Sequence, residues 1–375
     1  MQVSRFSYQG GRWSEPFPRL DSQDTLVLVF GATAYLDDPG PLLDLSAAFP
    51  KALLLGCSTS GEIHGTRVED GSLSVAIAKF DRTRLRRAGA EVAGADGSRE
   101  AGLQLAEALD APDLKGVLVL SDGLKVNGSE LVRGFNDRFQ GRVSVTGGLA
   151  GDGDRFQRTW VLREGRPTSG WVEAVGFYGD AVRLAHGSKG GWDVFGPERR
   201  ITRAKGNVLF ELDGKPALEL YKAYLGDRAS GLPATALLFP LALRESAGED
   251  RQLVRTVLAV NEQDQSMTFA GDIPEGSLVQ LMRANFERLI EGAESAAHRM
   301  GELKERPTLV VAISCVGRRL VLGERTEEEV EATLHVLPKG TEQVGFYSYG
   351  EISPFAEGSC DLHNQTMTLT AVQEG

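Results

Sequence analysis

Thr25-Leu-Val-Leu-Val-Phe30 leads through a helical stretch, Gly40 to Phe49, into Lys51-Ala-Leu-Leu-Leu55. The small-residue loop Gly56-Cys-Ser-Thr-Ser-Gly-Glu62 and a further apolar run, Ser72-Leu-Ser-Val-Ala-Ile-Ala78, follow. The same order recurs downstream. Gly116-Val-Leu-Val-Leu120 leads through a helix from about Ser129 to Phe139 into Arg142-Val-Ser-Val145, the loop Gly147-Gly-Leu-Ala-Gly-Asp152 and the run Trp171-Val-Glu-Ala-Val-Gly-Phe177. Thr25 to Lys51 is 26 positions, and so is Gly116 to Arg142. A longer third copy runs from Thr308-Leu-Val-Val-Ala-Ile313 through a Glu-rich helix near Thr326 to Leu337 and into Gln343-Val-Gly-Phe-Tyr347. The loop Ser348-Tyr-Gly-Glu351 and the strand Thr366-Met-Thr-Leu-Thr370 complete it. Short apolar runs bounded by Gly and separated by helical spacing are strand-helix-strand units, and the right-handed crossover makes their two strands parallel. The class is therefore α/β, with two lobes built from repeated units and a mixed sheet in each. The loops after the second strands lie near strand carboxyl ends, where open α/β sheets place ligands. Loops 57 to 62, 147 to 152 and 348 to 351 are expected to converge on one pocket.

Around these copies, Ser98 to Leu109 and Gly276 to Met300 have helical spacing of apolar residues. Gly190 to Pro197 reads as loop chemistry ending a strand. A lobe boundary is expected between it and a helix starting near Pro216, after the Asp213-Gly214 turn. The domains are then 1–215 and 216–375. Glu324 to Glu331 reads as the solvated face and acidic first turn of a helix.

The 375 residues include 41% apolar and 25% charged side chains, a globular balance large enough for two lobes. A net charge of −11 without a strongly basic run lacks the footprint of a nucleic-acid binder. The longest apolar runs fall far short of the roughly 20 residues that span a bilayer, so membrane insertion is not expected. No signal-peptide pattern opens the chain, and Cys57, Cys315 and Cys360 are an odd set without CxxC spacing. A cytoplasmic location is the expectation.

Candidate site residues come first from the loops. Cys57, Ser58, Thr59, Gly61 and Glu62 put small polar side chains and backbone N–H groups at a strand exit, suited to a polar or anionic ligand group or to a self-satisfied tight turn. Gly147, Gly148, Gly151 and Asp152 occupy the same place in the second copy. Ser348, Tyr349, Gly350 and Glu351, with Asn364 nearby, do so in the third. Glu62 and Glu351 both sit in Gly-Glu-Ile, where a carboxylate can take the ammonium of an amino acid-like ligand, cap the next segment or pair with Arg. Gly56-Cys-Ser-Thr-Ser60 is not a nucleophile elbow, since Ser60 occupies the fifth place and the Gly comes one residue late. Cys57 with His64 imitates a thiol and its base only in sequence. The five histidines show no metal-ligand spacing. Haem needs only one axial imidazole and leaves no spacing signature. His363 is the first axial candidate and His186 the second, each against the alternative of a ring bonded to a neighbouring carbonyl.

Gly56-Cys-Ser-Thr-Ser-Gly-Glu-Ile63, Gly147-Gly-Leu-Ala-Gly-Asp152 and Gly206-Asn-Val-Leu-Phe-Glu-Leu-Asp-Gly-Lys-Pro-Ala217 resemble signatures of the FIST family. So do Phe346-Tyr-Ser-Tyr-Gly-Glu-Ile-Ser-Pro354 and Leu362-His-Asn-Gln-Thr-Met-Thr368. They span almost the whole chain, in the order of a FIST N and a FIST C domain. The resemblance implies a non-catalytic, ligand-sensing signal-transduction protein. In some bacterial members it implies haem binding and nitric-oxide response through a histidine kinase. Haem and a small amino acid-like metabolite stay open as ligands, and a thiol or acyl-transfer enzyme using Cys57 is the competing class.

Overall fold

A computed structural model describes residues 1–244, 246, 253–354 and 358–375. All three repeated units are present. Thr25–Gly31 and Leu53–Ser58 pair in parallel across the helix Gly40–Ala48, and Leu73–Lys79 lies antiparallel on the other side of Thr25–Gly31. Leu114–Ser121, the helix Gly128–Phe139, Ser144–Leu149 and Trp171–Tyr178 repeat this arrangement. Thr308–Cys315, the helices Val316–Leu322 and Thr326–Val336, Thr341–Ser348 and Met367–Glu374 repeat it again.

Strand alternation explains why these runs are apolar on both faces. Leu28 and Phe30, Leu118 and Leu120, Val311 and Ile313 point into one central core shared by the three sheets, where Phe30 stacks on Phe346 at 4.9 Å. The intervening Val27 and Val29, Val117 and Val119, Val310 and Ala312 face the outer helices. Three sheets thus enclose a core and carry their helices outside.

The units are closed into a ring by exchanged strands. Glu62–His64, which follows the second strand of the first unit, pairs with Thr341–Ser348 of the third. Val161–Arg163 pairs with Leu53–Ser58 of the first unit, and Gly350–Pro354 with Ser144–Leu149 of the second. Each sheet is therefore completed by a different unit, and the sheets run across the sequence division at residue 215.

A second lobe is inserted between the strand Val182–Lys189, which pairs with Met367–Glu374 of the third unit, and the helix Phe286–Arg299. Its sheet includes Trp192–Lys205, Val208–Leu212, Leu241–Arg244 and Leu278–Ala284, with the helix Ala217–Leu225 packed against it. The chain returns to the first lobe at the helix Phe286–Arg299, capped by the Asn285 side chain accepting from Arg288 N. Two expectations are corrected here. Trp192 begins a long strand where a loop was read, and Gly276 to Met300 is a strand followed by a helix. Val279, Leu281 and Met282 are buried by strand pairing, so a pattern that also fits helical spacing resolves as sheet.

Candidate functional site

The three loops meet at the carboxyl ends of the parallel strands. Ser58 O accepts from Gly151 N at 3.0 Å, Leu149 O from Tyr349 N at 3.1 Å, and Tyr347 O from Ser60 N at 2.7 Å. In each case the donor stands two residues beyond the acceptor's counterpart, so the three bonds are one bond repeated around the ring. This sets the correspondence Gly56, Gly147, Gly345. A Cβ at any of them would run into the carbonyl of Val29, Val119 or Ala312 on the adjacent strand.

With that register, Gly56-Cys-Ser-Thr-Ser-Gly-Glu-Ile63 lies over Gly345-Phe-Tyr-Ser-Tyr-Gly-Glu-Ile352. The carboxylates are spent inside the fold. Glu62 accepts from the Thr59 hydroxyl and, at 2.9 Å each, from Ser72 N and Oγ. Glu351 accepts from Ser348 Oγ at 2.6 Å and from Thr366 N and Oγ at 3.2 and 2.9 Å. Burial pushes their pKa values up, to about 7 for Glu62 and about 8 for Glu351. Both hold the start of the third strand.

The second unit lacks this Gly-Glu-Ile. It has Gly151-Asp152-Gly153, and the chain leaves the ring through residues 150 to 160 before its exchanged strand begins at Val161. The buried Trp160 closes the excursion, donating from its backbone N to Ser58 Oγ at 3.0 Å while its carbonyl accepts from Ser58 N at 2.9 Å. Ser60 Oγ accepts from Gly153 N at 2.9 Å. Tyr349 stacks on Phe156 at 4.5 Å and donates its hydroxyl to Gly153 O at 3.0 Å.

This break in the repeat opens a cleft of about 650 Å³. Ala32 to Ala34, Thr59, Ser60, Glu62, Asp70, the loop 152–158 and Arg319 line it. Its walls carry both charges. Asp152, itself buried, takes Arg155 Nε at 2.9 Å and Arg158 N at 3.1 Å. Arg158 is bidentate to Asp37 at 2.7 and 2.6 Å. Arg319 is bidentate to Asp70 at 2.8 and 2.6 Å and donates to Ser60 O at 2.6 Å. The acidic sides of these last two pairs stand in solvent, with Asp37 66% and Asp70 73% exposed. A ligand can therefore exchange them against water-screened interactions of small strength. Thr33 Oγ1, also on the lining residue set, is buried and has no hydrogen-bond partner.

Of the residues read from sequence, Thr59, Ser60's neighbour Gly61, Glu62 and Asp152 are at or under this cleft. Cys57, Ser58, Gly147, Gly148, Gly151, Ser348, Tyr349, Gly350 and Glu351 form the buried ring beneath it. Asn364 is buried away from the cleft, beside Thr256 of the second lobe, with its Nδ2 unpaired. Arg155, Arg158 and Arg319 were not anticipated. The only local signal was the cluster Asp152 to Arg158, whose charges have no helical or strand period.

The thiol and histidine candidates have definite surroundings. Burial drives the Cys57 thiol well above its ordinary pKa, so it holds no thiolate at neutral pH. His64 lies 3.2 Å from Ser74 Oγ, with its pKa lowered to about 4, first by burial. His363 lines a cavity of about 310 Å³ with Trp192, Met282, Lys189 and Arg299. Its Nε2 lies 3.0 Å from Ser353 O, which makes that nitrogen the protonated one. Axial ligation through Nε2 would require breaking that bond. His186 sits half-buried on Val182–Lys189, opposite Thr370. Among the described residues no three His, Cys, Asp or Glu are grouped to hold a metal ion, and no helix is long and apolar enough to cross a membrane.

Residues 25–215 match the model of the FIST N domain and residues 217–354 that of the FIST C domain. An uncharacterised protein of Methanocaldococcus jannaschii is 24% identical over 260 residues, covering 61% of this chain and 48% of the relative. The chain thus spans about half the length of the curated relative it matches. A cyanuric acid hydrolase from A. caulinodans aligns over 100% of this chain and 98% of its own at 8% identity, with a TM-score of 0.38. That score carries no argument about fold or activity.

Proposed function

Because the chain belongs to the FIST family, whose domains are signal-transduction sensors of small ligands, we propose that its cleft reversibly binds a small amino acid-like zwitterion. One observation carries this reading: guanidinium and carboxylate groups line a single cleft together, Arg319 beside Asp70 and Arg155 beside Asp152, with Arg158 on the same wall and paired to Asp37 outside it. A ligand carboxylate is matched by the planar fork of an arginine, and a ligand ammonium by an aspartate. Thr33, Thr59 and Ser60 add hydroxyls near the charges, and the cleft's volume suits a metabolite. The nearby Cys57 offers no nucleophile, which supports binding without turnover.

The bound state would pass to a separate signalling protein such as a histidine kinase. The haem and nitric-oxide reading has less support, because one ring nitrogen of His363, Nε2, is bonded to Ser353 O.

Melting the protein with each L-amino acid in turn tests the proposal. At least one should raise Tm in wild type and fail to do so in Arg319→Gln, with the free ligand recovered unchanged. A Soret band with no response to any amino acid would overturn it in favour of haem.

A further inference from the structure

A further cavity, of about 560 Å³, lies where the two lobes face each other. Phe195, Tyr224 and Phe239 of the inserted lobe stand opposite Phe286 of the first lobe, and Arg228 and Arg283 are on the wall. Leu320 and Val321, on the helix that carries Arg319, close the floor. No residue lining it is acidic.

The arginines around this space differ in their ion pairing. Arg199, beside Tyr224, is held by Asp213 at 3.0 Å and by the Tyr224 hydroxyl. Arg325, over Phe286, is held by Glu287 and Glu328. Asp193, across the strand pair from Arg283, is taken by Arg288. Arg228 and Arg283 have no carboxylate partner among the described residues. Arg228 instead lies over the Phe239 ring, 5.3 Å from its centre. Phe286 is 46% exposed, a large ring facing open space.

An aromatic wall with two unneutralised guanidinium groups selects for a flat, apolar body bearing negative charge. The rings stack on the body while the guanidiniums take the anion. We propose that the inter-lobe cavity is a binding site for an aromatic carboxylate, distinct from the polar cleft. It rests on residues that the zwitterion reading does not use. Burial of such a ligand would bridge Phe286 of one lobe to Phe239 of the other and so favour one lobe arrangement.

Calorimetric titration with 2-naphthoate, 2-naphthamide and 2-naphthylmethylamine tests it. The expected order places the carboxylate tightest, the neutral amide weaker by about tenfold or more, and the amine without measurable binding. The exposed pair of substitutions Arg228→Gln and Arg283→Gln together should abolish the preference for carboxylate over amide without lowering Tm. Should Tm fall, Arg228→Lys with Arg283→Lys must retain that preference. Equal binding of amide and carboxylate to wild type, unaltered preference in the double Gln variant, or no heat from 2-naphthoate would each overturn the proposal.

Discussion

Arg318 and Glu329 are both wholly buried, and each is fully used. Arg318 Nε and Nη2 donate to Glu329 Oε2 at 3.0 and 2.7 Å, and Nη2 also reaches Leu289 O at 2.8 Å. Glu329 Oε1 accepts from Ser314 Oγ at 2.9 Å and from the Tyr347 hydroxyl at 2.6 Å. This network fixes the helix that aims the neighbouring Arg319 into the cleft. Removing one buried partner strands the other charge, so Arg318→Met should cost about 3–5 kcal/mol in urea unfolding. Arg318→Met with Glu329→Leu should recover most of that loss, and a single variant as stable as wild type would refute the role. The sequence read the whole run 324 to 331 as solvated. Glu329 is the exception because its helix lies against the sheet on that face, which no local charge pattern announces. A second expectation concerns pH. Glu351 ionises near its ordinary 4.5 when unfolded but only near about 8 when folded. Between these values the folded state binds more protons, so stability falls as pH rises through the window. Glu62 ends its own fall near about 7. Urea midpoints of Glu351→Gln should therefore decline less than those of wild type between pH 7 and 8, and an identical decline would exclude Glu351 as the source.

At the scale of elements, the parallel strands come so close at Gly345 that no side chain fits against the Ala312 carbonyl. Gly345→Ala should lower stability by about 1–3 kcal/mol through forced strand displacement. Gly94→Ala, at a site with open space around it, should melt like wild type. Comparison of the two Tm values checks the claim. The repeated units were legible because each opens on an apolar strand and carries a second strand with a Gly-rich exit after a helix, and Ser98–Leu109 is a helix with the bounds its spacing gave. The exchanged strands were not, since Glu62–His64 and Val161–Arg163 are too short to show a period. Nor was the inserted lobe's long strand, where Arg199, Arg200 and Arg203 interrupt the apolar alternation and Arg199 and Arg203 pair with Asp213 and Glu211 along the surface. The third loop starts at Gly345, three residues before Ser348, and the shared Gly-Glu-Ile marks only its far end in the sequence.

Over the whole molecule, the cleft proposed as the ligand site lies at a departure from repetition. Two units keep Gly-Glu-Ile and spend its carboxylate holding their own third strand, while the second unit gives it up and sends residues 150 to 160 outward. The loops singled out in the sequence lie at or beneath this cleft. The sequence did not supply the charge pairs, because Arg155 and Arg158 come from the excursion and Arg319 from another unit's helix, joined only by the ring closure. The cleft's opposed charges are the basis for a zwitterionic ligand, and the claim is testable by removing one ligand charge at a time. Calorimetry with the L-amino acid that most raises Tm, beside its N-acetyl and carboxamide derivatives, is the most direct measurement. The account predicts that each derivative binds at least about tenfold more weakly than the zwitterion. Equal affinity for the parent and either derivative would contradict it.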